Sequence, residues 1–380
     1  MGGTLTIVRL FGIRFAVNVS WLFVFALVTY SLGGVLFPEL YPWWPAWLSW
    51  TVGATTSLLF FLCVLLHELA HSLVALRHGI PVRSITLFLF GGVAQLGREA
   101  PTPRAEFLVA AAGPAMSFVL TALFGVLLLL EGLVPHPVRA LATWLAGINF
   151  SLAAFNLLPG FPLDGGRLLR AVVWRFSGDY LWASRLASAM GQFAAFGLIA
   201  AGLLGGLPGW GGDALSGLWF AMVGLFLYSA AVDGYRMARL HADLQDRTVR
   251  DFMIATVAAL ASDLTVEATR AYGTLWNTRV PAAVLHDGRL VGLVGAEQLR
   301  SVPWDQEGQT SLASIMVPVS ETACVSPDTP VLLALERFGE AGLGVLPVVE
   351  NGEVVGMLTL DTVLRQLRSR PHGPAGASPR

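Results

Sequence analysis

Six long apolar runs fill the first 240 positions of the 380-residue chain, near 15–37, 47–77, 105–131, 138–158, 182–207 and 215–238. Each has roughly the 20 residues that a helix needs to cross a bilayer. A different pattern separates the second run from the third. Pro81 to Leu96 is rich in β-formers, Leu87-Phe88-Leu89-Phe90 leading into Gly91-Gly92-Val93. It predicts a hairpin dipping into the membrane, where backbone must be buried against protein or face a water-filled cavity; a surface loop is the alternative reading. From about Asp243 the pattern becomes an ordinary soluble mix with an internal repeat. Val249-Arg250-Asp251-Phe252-Met253 returns as Leu312-Ala313-Ser314-Ile315-Met316. Gly288-Arg289-Leu290-Val291-Gly292 returns as Gly352-Glu353-Val354-Val355-Gly356. Each repeat reads as strand, helix, strand, strand, helix.

The expected architecture is a polytopic α-helical membrane protein, with about six transmembrane helices and a membrane-embedded β-hairpin, followed by a soluble α+β tandem repeat. The expected divisions are a membrane domain over 1–240, a linker over 241–248, repeats over 249–305 and 306–370, and a disordered Pro/Gly/Ser-rich tail over 371–380.

Composition agrees with this division. The chain is 55% hydrophobic and 13% charged, against about 25% charged in soluble domains. A net charge of −1 offers nothing to nucleic acid. Every basic residue is arginine, which excludes a lysine nucleophile or Schiff base. Arg9 and Arg14 precede the first run. Arg77, Arg83, Arg98 and Arg104 lie between the second and third, Arg167, Arg170, Arg175 and Arg185 between the fourth and fifth, and Arg236 and Arg239 follow the sixth. The intervening segments 38–46, 132–137 and 208–214 hold no arginine. The positive-inside rule then puts the N-terminus and the repeats in the cytoplasm; the expected location is a bacterial or archaeal cell membrane. Trp43, Trp44 and Trp47 read as an interfacial belt, and Glu131 as a span end. No cleavable signal peptide is expected, because the first run is too long and lacks a small-residue cleavage site. Cys63 and Cys324 are too few and too far apart for a thiolate metal site or a disulfide framework.

The chemistry is concentrated in His67-Glu68-Leu69-Ala70-His71, inside the second run. Two histidines and a glutamate in hydrocarbon are costly unless something compensates them. The i, i+4 spacing puts both imidazoles on one helix face, where a zinc ion would supply that compensation. His67 lies ten residues before Arg77, roughly 15 Å below the membrane surface at 1.5 Å per residue. Water must therefore reach it by a polar inlet. A third ligand is needed, and Asp164 is the candidate. It stands in Asn156-Leu157-Leu158-Pro159-Gly160-Phe161-Pro162-Leu163-Asp164-Gly165, a Pro/Gly-broken segment at the end of a span. The plainer reading is an aspartate capping the next helix. Glu68 is placed to act as general base and then acid. Asn156 is a donor for substrate backbone or oxyanion, with Pro159 and Pro162 shaping the loop. The hairpin residues Phe90, Gly91 and Gly92 could pair with an unwound substrate strand.

With these motifs the chain resembles the site-2 protease family of intramembrane zinc metalloproteases. The resemblance rests on His67-Glu68-x-x-His71, on Asn156-x-x-Pro159-x-Phe161-Pro162-Leu163-Asp164-Gly165, and on Phe90-Gly91-Gly92 and Ala112-Gly113-Pro114. It covers roughly residues 1–240. It implies one zinc on His67, His71 and Asp164, and Glu68 as catalytic acid/base. It also implies single-span membrane substrates such as tethered transcription regulators or anti-sigma factors. The C-terminal repeat resembles a tandem cystathionine β-synthase-type (CBS) pair, which implies dimerisation or an adenine nucleotide. The usual ribose-binding pattern is broken here, with Thr359 followed by Thr362 where an aspartate is expected. A CBS-regulated transporter or channel, and a membrane-anchored protease of soluble peptides, are the competing readings.

Overall fold

The computed structural model describes residues 4–10, 12–88, 91–130, 132–205, 214–255, 258–276, 280–318, 324–341 and 344–369. Phe90, Glu131 and the 371–380 tail lie outside the described residues. The chain divides into two compact units, 1–239 and 240–380.

The first unit opens with strands, not with a helix. β1 (Thr4–Leu10) and β2 (Ile13–Asn18) form an antiparallel hairpin. β2 alternates between buried Ile13 and Phe15 and exposed Arg14, so the first apolar run yields its opening residues to a strand. Asn18 then caps α1 (Val19–Tyr30), its side chain accepting from the Ser20 N–H. That helix continues through a π-helical segment (Ser31–Leu36) into α2 (Phe37–Leu40). Next come α3 (Ala46–Arg77) and the hairpin β3 (Val82–Phe88) and β4 (Gly91–Leu96). β2 runs parallel to β3, so the expected hairpin is half of a four-stranded sheet ordered β1-β2-β3-β4. Its apolar face places Ile13, Phe15, Val82 and Ile85 against Ala75 of α3. The unit is completed by α4 (Pro103–Leu129), α5 (His136–Asn156), α6 (Asp164–Ser177), α7 (Tyr180–Gly205) and α8 (Ala214–Leu244).

Among the described residues, six helical segments are long and apolar enough to cross a membrane: Val19–Leu40, Ala46–Arg77, Pro103–Leu129, His136–Asn156, Tyr180–Gly205 and Ser216–Leu244. α3 shows the logic of helix packing in lipid. Ser49, Thr56, Ser57, His67, His71 and Ser72 fall on its buried side, while Leu58, Leu62 and Leu76 are exposed. Polar groups that would be stranded in hydrocarbon turn inward, away from lipid. α6 differs: it is short and amphipathic, and it ends on Gly178 in the left-handed conformation.

The second unit holds the repeats. β5 (Ala259–Ala261), β6 (Ala282–His286), β7 (Arg289–Val294), α9 (Ala296–Arg300), α10 (Leu312–Ile315) and β8 (Val317–Pro318) precede α11 (Val331–Ala341), β9 (Val345–Glu350), β10 (Glu353–Thr359) and α12 (Leu360–Ser369). In the first repeat, the expected helix between the first two strands is a 3-10 segment (Glu267–Trp276), kinked at Tyr272. The two repeats exchange their opening segments. Ile254, at the start of repeat one, makes two main-chain hydrogen bonds with Met357 of β10 in repeat two. Val317 and Pro318, at the start of repeat two, pair with Leu293 and Gly292 of β7 in repeat one. Ala283 and Leu293 share one apolar cluster with Met357.

Candidate active site

α3 carries His67 and His71 on one face, and α4 faces them with a stripe at the same helical spacing. The His71 Nδ1–H donates to the Val109 carbonyl at 2.6 Å. His67 Nδ1 lies 2.9 Å from the Ser117 hydroxyl. Between Val109 and Ser117 stands Gly113, where a Cβ would fall against both imidazole Nε2 atoms. Only a residue without a side chain lets α4 come this close. A carbonyl can only accept, so the proton of neutral His71 sits on Nδ1 and its Nε2 lone pair is free for a cation.

The third group arrives from the broken segment after α5. That helix ends at Asn156, and the chain turns through Pro159, Gly160 and the cis Phe161–Pro162 peptide to begin α6 at Asp164. Asp164 Oδ2 then stands 3.2 Å from His67 Nε2 and 3.1 Å from His71 Nε2, and the two Nε2 atoms are 3.2 Å apart. For Zn–N and Zn–O bonds of about 2.0–2.1 Å, the edge of a tetrahedron is about 3.3 Å. The triangle formed by these three atoms fits one face of that tetrahedron and leaves its fourth corner open. With His67 donating its Nδ1–H to the Ser117 hydroxyl as His71 donates to Val109, two nitrogen lone pairs and a carboxylate oxygen face one point, a donor set suited to a cation. Among the described residues this is the one cluster of three His, Cys, Asp or Glu side chains that could hold a metal ion.

Glu68, beside His67, is half-buried under β4. A Cβ on Gly92 would run into the Glu68 side chain, so the strand passes directly over it. Gly91 has φ +124, in a conformation that favours glycine. Asn156 is half-buried, and its side chain makes no hydrogen bond among the described residues; Pro159 and Pro162 are exposed. Thr359, in the second unit, is drawn into a local cap: its hydroxyl accepts from the Thr362 N–H at 3.1 Å and lies 2.7 Å from the Thr362 hydroxyl.

The sequence reading missed the partners. Val109 contributes a main-chain carbonyl, which no motif advertises. Ser117 lies one turn beyond the glycine of Ala112-Gly113-Pro114, and that spacing is the signal that could have found it. Also missed was a buried ionic cluster around Arg170 and Glu106. Glu106 is an acid inside the third apolar run, a position where ionisable residues are rare.

Comparison with known proteins places this geometry. The model of peptidase family M50 matches residues 55–138 and 131–200, and the CBS domain model matches 312–369. Rip3 of Mycobacterium tuberculosis, which carries a zinc metalloprotease name, is 38% identical over 361 residues, covering 92% of this chain and 90% of the relative. The chain belongs to peptidase family M50, the site-2 proteases. A Synechocystis relative with a zinc metalloprotease name is 35% identical over 97% of both chains. A solved site-2 protease from Methanocaldococcus jannaschii covers 61% of this chain and 95% of its own, at 26% identity and TM-score 0.43. As an M50 member the chain is a zinc metalloprotease and an integral membrane protein with a C-terminal CBS domain. Membership of M50 sets aside the transporter reading.

Proposed function

We propose that this M50 protease hydrolyses a peptide bond within or near the transmembrane segment of a membrane-tethered protein. The observation that carries the reading is the convergence of His67, His71 and Asp164, beside Glu68, inside a membrane-length helix. His67, His71 and Asp164 hold the zinc. When bound, zinc supplies Lewis-acid polarisation of the scissile carbonyl and makes a water acidic near neutral pH.

This chain's own residues do the rest. Glu68 takes the proton from the attacking water and delivers it to the leaving amine. Asn156, with no partner among the described residues, donates from its amide to the substrate carbonyl. A helical substrate shields its own peptide bonds, so it must unwind before cleavage. β4 lies at the end of its sheet and over Glu68, and its free edge offers a strand for the unwound segment to pair with. Single-span proteins such as tethered transcription regulators or anti-sigma factors fit this geometry, because one helix can unwind without dismantling a bundle. The arginine distribution puts the N-terminus and the CBS pair in the cytoplasm, where the pair modulates cleavage or joins two copies of the chain.

The experiment is Glu68→Gln in purified, reconstituted protein. The amide keeps the shape of the carboxylate and loses its basicity. Cleavage of a tethered substrate is expected to fall by at least about 100-fold, with zinc still at one per chain. Undiminished cleavage would remove Glu68 from the mechanism.

A further inference from the structure

The ionic cluster behind the metal triad has no part in the chemistry above. Arg170 is 5% exposed and Glu106 is fully buried. The guanidinium forks onto a single carboxylate oxygen, its Nε donating to Glu106 Oε1 at 2.6 Å and its Nη2 bridging the same atom. Nη1 donates to the Tyr180 hydroxyl at 2.9 Å, and Nη2 also reaches Glu99 at 3.4 Å. The Phe161 ring lies against the guanidinium at 5.0 Å and the Tyr180 ring at 4.9 Å. Arg170 thus joins α6, the start of α4, the start of α7 and the turn before Asp164.

Three of these elements, α6, α4 and the turn, bear on the metal triad. Arg170 lies six residues after Asp164 on α6, about 9 Å along a helix, and Phe161 lies three residues before it. Glu106 lies three residues before Val109 on α4, one turn from the carbonyl that orients His71 and three turns from Ser117 beside His67. The ion pair therefore fixes the helix holding the acidic ligand to the helix orienting both imidazoles. Among the described residues Glu106 Oε2 has no hydrogen-bond partner. A buried charge satisfied so incompletely is a poor device for stability alone, since apolar replacements of an ion pair are often neutral or stabilising.

We infer that Arg170 and Glu106 are positioning residues for the zinc site: their ion pair sets Asp164 at ligand distance from His67 and His71. This rests on the zinc-protease reading above and adds a residue pair to it. Groups that orient metal ligands typically change affinity by about 10- to 100-fold when removed.

The test is zinc affinity, measured by chelator competition on the detergent-purified full chain. Arg170→Gln alone strands the Glu106 charge and endangers folding, so the informative variant is Glu106→Leu with Arg170→Met, which removes both charges. Arg170→Lys keeps the charge but loses the fork and carries the same comparison if the double variant does not accumulate. Phe37→Ala serves as control, because Phe37 is buried in a separate cluster with Leu32, Val52 and Ala140. The expected result is a zinc affinity at least about tenfold weaker in the pair variant, with the wild-type affinity kept in Phe37→Ala at a similar loss of thermal midpoint. Equal affinity in wild type and pair variant, or equal weakening in the control, overturns the inference while leaving the zinc site standing. A folded wild type that takes up no zinc from added zinc salt overturns the zinc-site reading itself, and the inference with it.

Discussion

At the scale of single residues, the metal triad depends as much on a missing side chain as on those present. Gly113 leaves the space in which His67 and His71 point their Nε2 atoms at Asp164. Gly113→Ala puts a methyl group into that space. The expected outcome is loss of bound zinc and of cleavage with helix content kept, measured by elemental analysis and circular dichroism on one sample; a full zinc complement would show that α4 can retreat. Histidines four apart and an acid in a Pro/Gly-broken turn were legible in the chain because their chemistry is unusual where they stand. Val109 was not, because its contribution is a main-chain carbonyl set by the register between two helices, and Ser117 was marked only by its spacing of one turn from Gly113.

Among the elements, the sheet shows how a strand hides in a hydropathy pattern. β2 merges without a break into the apolar run of α1, and only the alternation of Ile13, Arg14 and Phe15 distinguishes it. Its parallel pairing with β3 joins segments about seventy residues apart, a contact that local periodicity cannot reveal. The hairpin itself was legible from its β-formers and glycines. β4 then constrains Glu68 by proximity. Gly92→Val places a branched side chain where Glu68 now lies. Cleavage should fall by about tenfold or more, a step equivalent to about 1.4 kcal/mol, with zinc content unchanged. Loss of zinc instead would mean that the strand supports the metal triad and not Glu68.

For the whole molecule, six spans and a C-terminal soluble unit followed from the alternation of apolar runs with arginine-rich segments. The way the repeats interlock did not. Orientation is open to direct test. In a Cys324→Ser background, Leu133→Cys should react with a membrane-impermeant thiol reagent on intact cells, and Arg104→Cys should react only after lysis. The reverse pattern would invert the protein in the membrane. For the CBS pair, the Thr359 hydroxyl is already committed to capping α12, and the aspartate expected three residues on is Thr362. Adding ATP to the full chain is therefore expected to leave its thermal midpoint unchanged; a saturable rise would reveal a nucleotide site built from other residues.

The exchange of opening segments between the repeats makes each the custodian of the other's edge. If repeat two melts, Ile254 loses the strand it pairs with; if repeat one melts, Val317 and Pro318 lose theirs. Neither half is a closed folding unit, so the module should come apart in one step. A fragment cut between the repeats would expose on each side an unpaired strand edge, and such edges are templates for aggregation.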